Sequence, residues 1–358
     1  MERFIRSDLT ASSGYPASTS PETLEGQIEV PVESVIKLDA NENPYGCSPR
    51  VSQALATYPH FNIYPDNGQA MLREWLAGYT GVDAKQIVAG SGADQLIDLV
   101  LRLFVEPGDE VINCIPSFEM YRFFTKVCGG TLVEVPRDEN FAIKVKAVKA
   151  AINKKTKIIL LANPNNPTGT LTPQRDILEI ADTGLPVLVD EAYYEFSGET
   201  VAPLVSKHEN LMVLRTFSKW AGLAGLRVGY GIFSPEIADY LLKIKPPYNV
   251  NVAALVAVQE SLKDIDYLMA SVKAIIAERE RLFQELKKIK WLKPLPSQAN
   301  FIFCSVLGEA RELQHKLQNR GILVRYFDRP LLRDGIRISV GKPEHTDALI
   351  KALREIER

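Results

Sequence analysis

Leu211-Met212-Val213-Leu214-Arg215-Thr216-Phe217-Ser218-Lys219-Trp220-Ala221-Gly222-Leu223-Ala224-Gly225-Leu226-Arg227 is the stretch from which the rest of the chain can be read. A strand-like apolar run, Leu211 to Leu214, delivers the hydroxyls of Thr216 and Ser218 and the amine of Lys219 into a turn. The guanidinium of Arg227 follows among glycines and small residues, and it suits an anion such as a phosphate. Lys219 alone decides nothing, since an ordinary lysine is a solvated ammonium with a pKa near ~10.4. To attack a carbonyl it must be neutral, a state that desolvation and a neighbouring Arg227 promote.

The strand-then-loop pattern recurs on both sides. Gln86 to Ala89 reads as a strand, followed by a glycine turn and an apolar helix through Leu96, Leu99, Val100 and Leu103. Glu110 to Ile115, Thr131 to Val135, Lys157 to Ala162, Leu185 to Val189 and Leu226 to Phe233 are further strand candidates. Strands spaced by helices imply an α/β fold whose mostly parallel sheet is covered on both faces. In such sheets ligands collect at the loops leaving the carboxyl ends of the strands. Asp264 to Ile289 has sustained helical character and suits a connecting helix. Beyond it, Asn300 to Val306, Ile322 to Tyr326 and Ile336 to Val340 read as strands, interleaved with helices at Ala310 to Gln318 and Pro343 to Ile356. The expected division is an N-terminal arm over 1–35, a large domain over 36–250 and a small α+β domain over 251–358, joined by the helix at about 264–289.

A chain of 358 residues is long for one average domain, and its net charge of −2 disfavours nonspecific nucleic-acid binding. No apolar run nears membrane-spanning length. The opening segment mixes Arg3 and Arg6 with Glu2, Asp8, Glu22, Glu25 and Glu29, unlike a secretory signal or a transit peptide, so the expected location is the cytoplasm. Cys47, Cys114, Cys128 and Cys304, like His60, His208, His315 and His345, are scattered in no metal-ligand spacing. No metal is expected, and the thiols read as reduced, mostly buried small hydrophobes.

The strand-end loops carry the chemistry. Gly90-Ser91-Gly92-Ala93-Asp94 opens a helix, whose free N–H groups and dipole favour an anion. Glycine turns before helices are common, and Gln95 breaks the spacing of a dinucleotide-binding loop. Phe118, in Pro116-Ser117-Phe118, suits either stacking on an aromatic ring or the core. Asn163-Pro164-Asn165-Asn166-Pro167-Thr168-Gly169 is a rigid turn in which Asn166 offers an amide to a phenolate oxygen. A plain turn needs no such density of asparagine. Asp190, in Asp190-Glu191-Ala192-Tyr193, ends a buried strand, where a carboxylate is costly unless paired. A protonated pyridine nitrogen is one fitting partner; a helix N-cap is the other reading.

As an ordered set, Gly92-Ala93-Asp94, Asn166-Pro167-Thr168-Gly169, Asp190-Glu191-Ala192-Tyr193, Ser218-Lys219 and Arg227 resemble the fold type I aminotransferases that depend on pyridoxal 5′-phosphate (PLP). The resemblance runs from about Phe4 to the C-terminus. Leu38-Asp39-Ala40-Asn41-Glu42-Asn43-Pro44-Tyr45-Gly46 and Arg337-Ile338-Ser339-Val340-Gly341 resemble signatures of the histidinol-phosphate aminotransferases, cyanobacterial and plant-plastid members above all.

The resemblance implies that Lys219 holds PLP covalently and, once released, shuttles the substrate's proton. It implies that Asp190 pairs with the pyridine nitrogen, Asn166 and Tyr193 hold the phenolic oxygen, and Phe118 stacks on the ring, where many relatives carry tyrosine. It assigns the cofactor phosphate to the Gly92 turn, the backbone of Ala93 and Asp94, the side chains of Ser218 and Arg227, and Thr216. Tyr64 resembles a tyrosine reaching that phosphate from a neighbouring subunit, which implies a homodimer. For substrates it implies Arg337 on the glutamate carboxylate or substrate phosphate, Arg325 as a second phosphate ligand, Tyr15 in the arm as a further one, and Asn43. The implied reaction is a ping-pong transamination between glutamate and imidazole acetol phosphate, a step of histidine biosynthesis. Rival readings are a phosphothreonine decarboxylase, an aromatic or broad-specificity aminotransferase, and a non-catalytic PLP-fold regulator, although no DNA-binding segment is visible.

Overall fold

The computed structural model describes residues 2–6, 9, 23 and 30–356. Tyr15 and most of the expected arm lie outside them. The strands, in chain order, are β1 (Ile36–Leu38), β2 (Ile87–Gly90), β3 (Glu110–Ile115), β4 (Thr131–Pro136), β5 (Thr156–Ala162), β6 (Val187–Asp190), β7 (Leu211–Thr216), β8 (Gly229–Ile232), β9 (Leu292–Pro294), β10 (Phe301–Val306), β11 (Ile322–Tyr326) and β12 (Gly335–Ser339). A seven-stranded sheet has the order β2-β8-β7-β6-β5-β3-β4, and a five-stranded sheet the order β1-β11-β12-β10-β9. In the larger sheet only β8 is antiparallel to its neighbours.

The apolar runs of β5, β6 and β7 are buried on both faces, as a helix-covered parallel sheet requires. Their side chains alternate between two cores. Ile159, Leu161, Val187, Val189, Leu211 and Val213 join one cluster, while Ile158, Leu160, Leu188, Met212 and Leu214 join the other. The second cluster is covered by Leu96, Ile97, Val100 and Leu101 of the helix Ala93–Phe104 and by Ala238 and Leu241 of the helix Pro235–Ile244. The first continues into Leu268, Val272 and Ile275 of the helix Ile265–Lys287 and on to Ile302, Ile336 and Ile338 of the smaller sheet. Each such side chain contributes about 1.5–3 kcal/mol on burial, which makes the shared cluster the main bond between the two sheets.

Several elements differ from the sequence reading. β1 and β9 are too short to show a period, and the helices Pro49–Thr57 and Ala70–Thr80 also went unread. β1, placed in the large domain from sequence, pairs in parallel with β11 of the smaller sheet. The connecting helix begins at Ile265, after a separate helix, Val252–Lys263. Asp264 marks the break, and its carboxylate accepts the Ser48 hydroxyl that also caps the helix Pro49–Thr57. The expected strand from Leu226 is shortened to β8, because Arg227 adopts a left-handed φ of 53° ahead of it.

Candidate active site

The loops after β2, β3, β5, β6 and β7 open on one cleft of about 410 Å³ at the carboxyl ends of the parallel strands. Among its lining residues are Lys219, Asp190, Tyr193, Asn166, Phe118 and Arg227. Ala93, Asp94, Thr216, Ser218, Arg325 and Arg337 line it as well. Residues from both sheets therefore meet there.

Lys219 Nζ donates to the Ala40 carbonyl at 3.0 Å. Desolvation, followed by the nearby charge of Arg337, lowers its pKa to about 8. Arg227 contributes in the same direction but less, so the cation that matters most to the amine comes from β12.

Asp190 is the last residue of β6 and is 7% exposed. Its Oδ2 accepts from the Tyr121 hydroxyl at 2.8 Å and its Oδ1 from the Ala192 N–H at 3.1 Å. Burial raises its pKa to about 6, against the pull of those donors. Among the described residues no cationic side chain forms a salt bridge with it. The short helix that follows, Tyr194–Ser197, has Tyr193 at its N-cap position, so Asp190 is not that helix's cap.

Gly92, with φ +81°, precedes the helix Ala93–Phe104, and a Cβ there would lie 2.6 Å from Arg227 Nη2. That guanidinium donates to Asp94 Oδ2 at 2.7 Å. A Cβ on Gly229 would come within 2.7 Å of the Ala93 amide nitrogen, so the strand beside the turn also needs glycine. Thr216 Oγ1 donates to Ser218 Oγ at 2.9 Å. Hydroxyls, a helix N-terminus and a guanidinium thus form a cradle for an oxyanion.

On the far side, Arg337 is 6% exposed, and its Nη1 donates to Asn166 Oδ1 at 2.7 Å. Its guanidinium also donates to the Asp39 carbonyl and lies over the rings of Phe301 and Phe327. Arg325 lies over Phe327 too, at 5.6 Å. Asn41 Nδ2 donates to the Tyr193 hydroxyl at 2.9 Å.

Two expected site residues are elsewhere. Asn43 is not in the cleft: its amide donates to the Trp220 carbonyl and accepts the Tyr45 N–H, which holds the turn behind Lys219. Tyr64 is 78% exposed and stacks on Tyr248 with ring centroids 4.6 Å apart. Sequence reasoning missed Asn41, Ala40 and Tyr121. The first two sit within the quoted Leu38 to Gly46 segment; the only local sign for Tyr121 is its position three residues after Phe118.

A family model described as aminotransferase class I and II matches residues 33–353. The chain belongs to the class I and II aminotransferases. It is 53% identical over 357 residues to a histidinol-phosphate aminotransferase of Dehalococcoides mccartyi, covering 99% of this chain and 98% of that one. With the chloroplastic histidinol-phosphate aminotransferase of Nicotiana tabacum it shares 44% identity, covering 99% of this chain and 86% of that one. A crystal structure of histidinol-phosphate aminotransferase from Sinorhizobium meliloti in complex with PLP superposes with a TM-score of 0.87 at 27% identity, covering 97% of this chain and all of that one.

These aminotransferases depend on PLP, and the cleft fits it. It offers a desolvated amine, a buried carboxylate lacking a cationic partner among the described residues, and a cradle kept open by glycines. Among the described residues no helix is long and apolar enough to cross a membrane, and no group of His, Cys, Asp or Glu could hold a metal ion.

Proposed function

We propose that this aminotransferase moves the amino group between L-histidinol phosphate and 2-oxoglutarate, in the histidine pathway, as a cytoplasmic homodimer. The observation that carries the proposal is Arg337 and Arg325 lining the same cleft as the low-pKa amine of Lys219. Planar guanidinium forks suit a carboxylate and a phosphate alike, so one pocket can take both substrates in turn. The relatives named for this reaction support the reading across nearly the whole chain. The cysteines are all free thiols, which suits a reducing compartment.

Bound PLP supplies a carbonyl for covalent capture of amines and an electron sink for the pair left when Cα loses its proton. Lys219 Nζ is the covalent anchor and the base that moves the Cα proton. Ionised Asp190 holds the ring nitrogen in its protonated form. Asn166 and Tyr193 hold the phenolic oxygen, with Tyr193 oriented by Asn41. Phe118 covers the ring face. Thr216, Ser218, Arg227 and the amides of Ala93 and Asp94 hold the phosphate, and Tyr64 joins them from a second copy of the chain. Arg325 and Arg337 position the substrate so that its Cα–H meets Lys219.

The test is the purified protein with glutamate and a panel of 2-oxo acids and phosphorylated ketones, followed by release of 2-oxoglutarate. Imidazole acetol phosphate is the expected preferred acceptor. A preference for aromatic 2-oxo acids, or CO₂ release from phosphothreonine, would overturn the assignment.

A further inference from the structure

We propose that Tyr121 is a positioning residue for Asp190: its buried hydroxyl keeps that carboxylate ionised and fixed for the ring nitrogen of PLP. The inference rests on the PLP reading and deepens it. Tyr121 lies in the first turn of the helix Met120–Val127 and is fully buried, a position in which a phenol must find a partner. Its hydroxyl donates to Asp190 Oδ2 at 2.8 Å. The ring meets Phe118 edge to face, with centroids 5.7 Å apart, so one residue braces both the carboxylate and the side chain that covers the ring face.

The chemistry needs an ionised Asp190, because a neutral carboxyl would not hold a proton on the pyridine nitrogen. Burial works against ionisation, and so do the charges of Asp94 and Glu191. The opposing donors are the Ala192 N–H and the Tyr121 hydroxyl, and Tyr121 is the only side chain of the two. The other titratable groups facing the pair are Tyr193, from the chain after β6, and Arg137, from the chain after β4. Tyr121 itself is held well above the usual phenol range, first by burial and then by the Asp190 charge, so it stays protonated and remains a donor. A hydrogen bond to an ionised group is strong enough to move a titration by about one pH unit or more.

Tyr121→Phe removes the hydroxyl and keeps the ring. Full-length protein stripped of PLP is titrated with PLP from about pH 8 down to about pH 5.5, with binding followed by tryptophan fluorescence. The variant is expected to match the unmodified chain near pH 8 and to bind PLP about tenfold more weakly near pH 6. An equal loss at every pH would make the role structural only and overturn the proposal, as would no loss at any pH. If the phenylalanine variant does not yield folded protein, 3-fluorotyrosine at position 121, a stronger donor, should move the acid limit of binding to lower pH. An unmoved limit would also overturn the proposal. Failure of the PLP reading itself would look different, because the unmodified chain would then bind no PLP at any pH.

Discussion

Arg337 Nη1 donates to Asn166 Oδ1 over 2.7 Å and so ties β12 of the smaller sheet to the loop that leaves β5 of the larger one. The same guanidinium lowers the pKa of Lys219 and donates to the Asp39 carbonyl beside it. One side chain therefore lines the cleft, holds the Asn166 loop and sets the electrostatics of the amine. Arg337→Ala should weaken glutamate and the phosphorylated substrate together, by about a hundredfold in kcat/KM for each, because it empties a buried charged position. Steady-state kinetics with both substrates checks this. Loss for only one of them would show that the two oxyanions do not share Arg337.

Gly92→Ala probes the cradle. The added methyl would sit 2.6 Å from Arg227 Nη2, at a φ of +81° that a side chain rarely adopts. Arg227 must swing away, and a lost charge-assisted contact of this kind should weaken PLP binding by about tenfold to a hundredfold. Equilibrium dialysis of PLP against the stripped variant measures it, and an unchanged affinity would remove Arg227 from the phosphate site.

Behind the site, Glu195 accepts from the Tyr79 hydroxyl at 3.1 Å, and Tyr79 stacks on Trp220, the neighbour of Lys219. Burial raises the Glu195 pKa to about 7, outweighing the attraction of Arg215. The folded chain therefore keeps a proton that the unfolded chain gives up near the ordinary glutamate value of 4.5. Stability should be greatest below that value and fall as pH rises to about 7, by about 3 kcal/mol at most from this group. Glu195→Gln should lose that slope, so its stability relative to the unmodified chain should improve between about pH 5 and about pH 8 in urea unfolding. An unchanging difference would mean that Glu195 is ionised throughout.

The sequence made the larger sheet legible because its strands are buried apolar runs set off by helices, and each run ended in a loop with unusual chemistry. β5, β6 and β7, with Asn166, Asp190 and Lys219 in or just after them, are the clearest cases. β1 carried no such signal. Its three residues are too few to show a period, and its partner, β11, lies almost three hundred residues away. Tyr121 was invisible for a related reason, since a tyrosine on an amphipathic helix reads as core until the fold brings it to Asp190. Asn43 and Asn41 sit in the same segment, and only the left-handed turn at Asn41, with φ 55°, decides which amide reaches Tyr193.

Tyr64 offers the sharpest test of assembly. It is exposed, does not line its own chain's cleft, and stacks on Tyr248, with the similarly exposed Phe61 and Ile63 just before it in the chain. If it reaches the phosphate of a second copy, each active site takes Lys219 from one chain and Tyr64 from the other. Lys219→Ala should then be inactive and lack the absorbance of covalently held PLP, while Tyr64→Ala should bind PLP weakly. Mixing the two variants under conditions that exchange subunits should restore one intact site per mixed dimer, built from Lys219 of the Tyr64→Ala chain and Tyr64 of the Lys219→Ala chain. About half of the mixed population would be such dimers if exchange is random, so activity should recover to roughly a quarter of the unmodified level. Activity that stays at the level of the Tyr64→Ala variant after exchange would place Tyr64 in its own chain's site or in none.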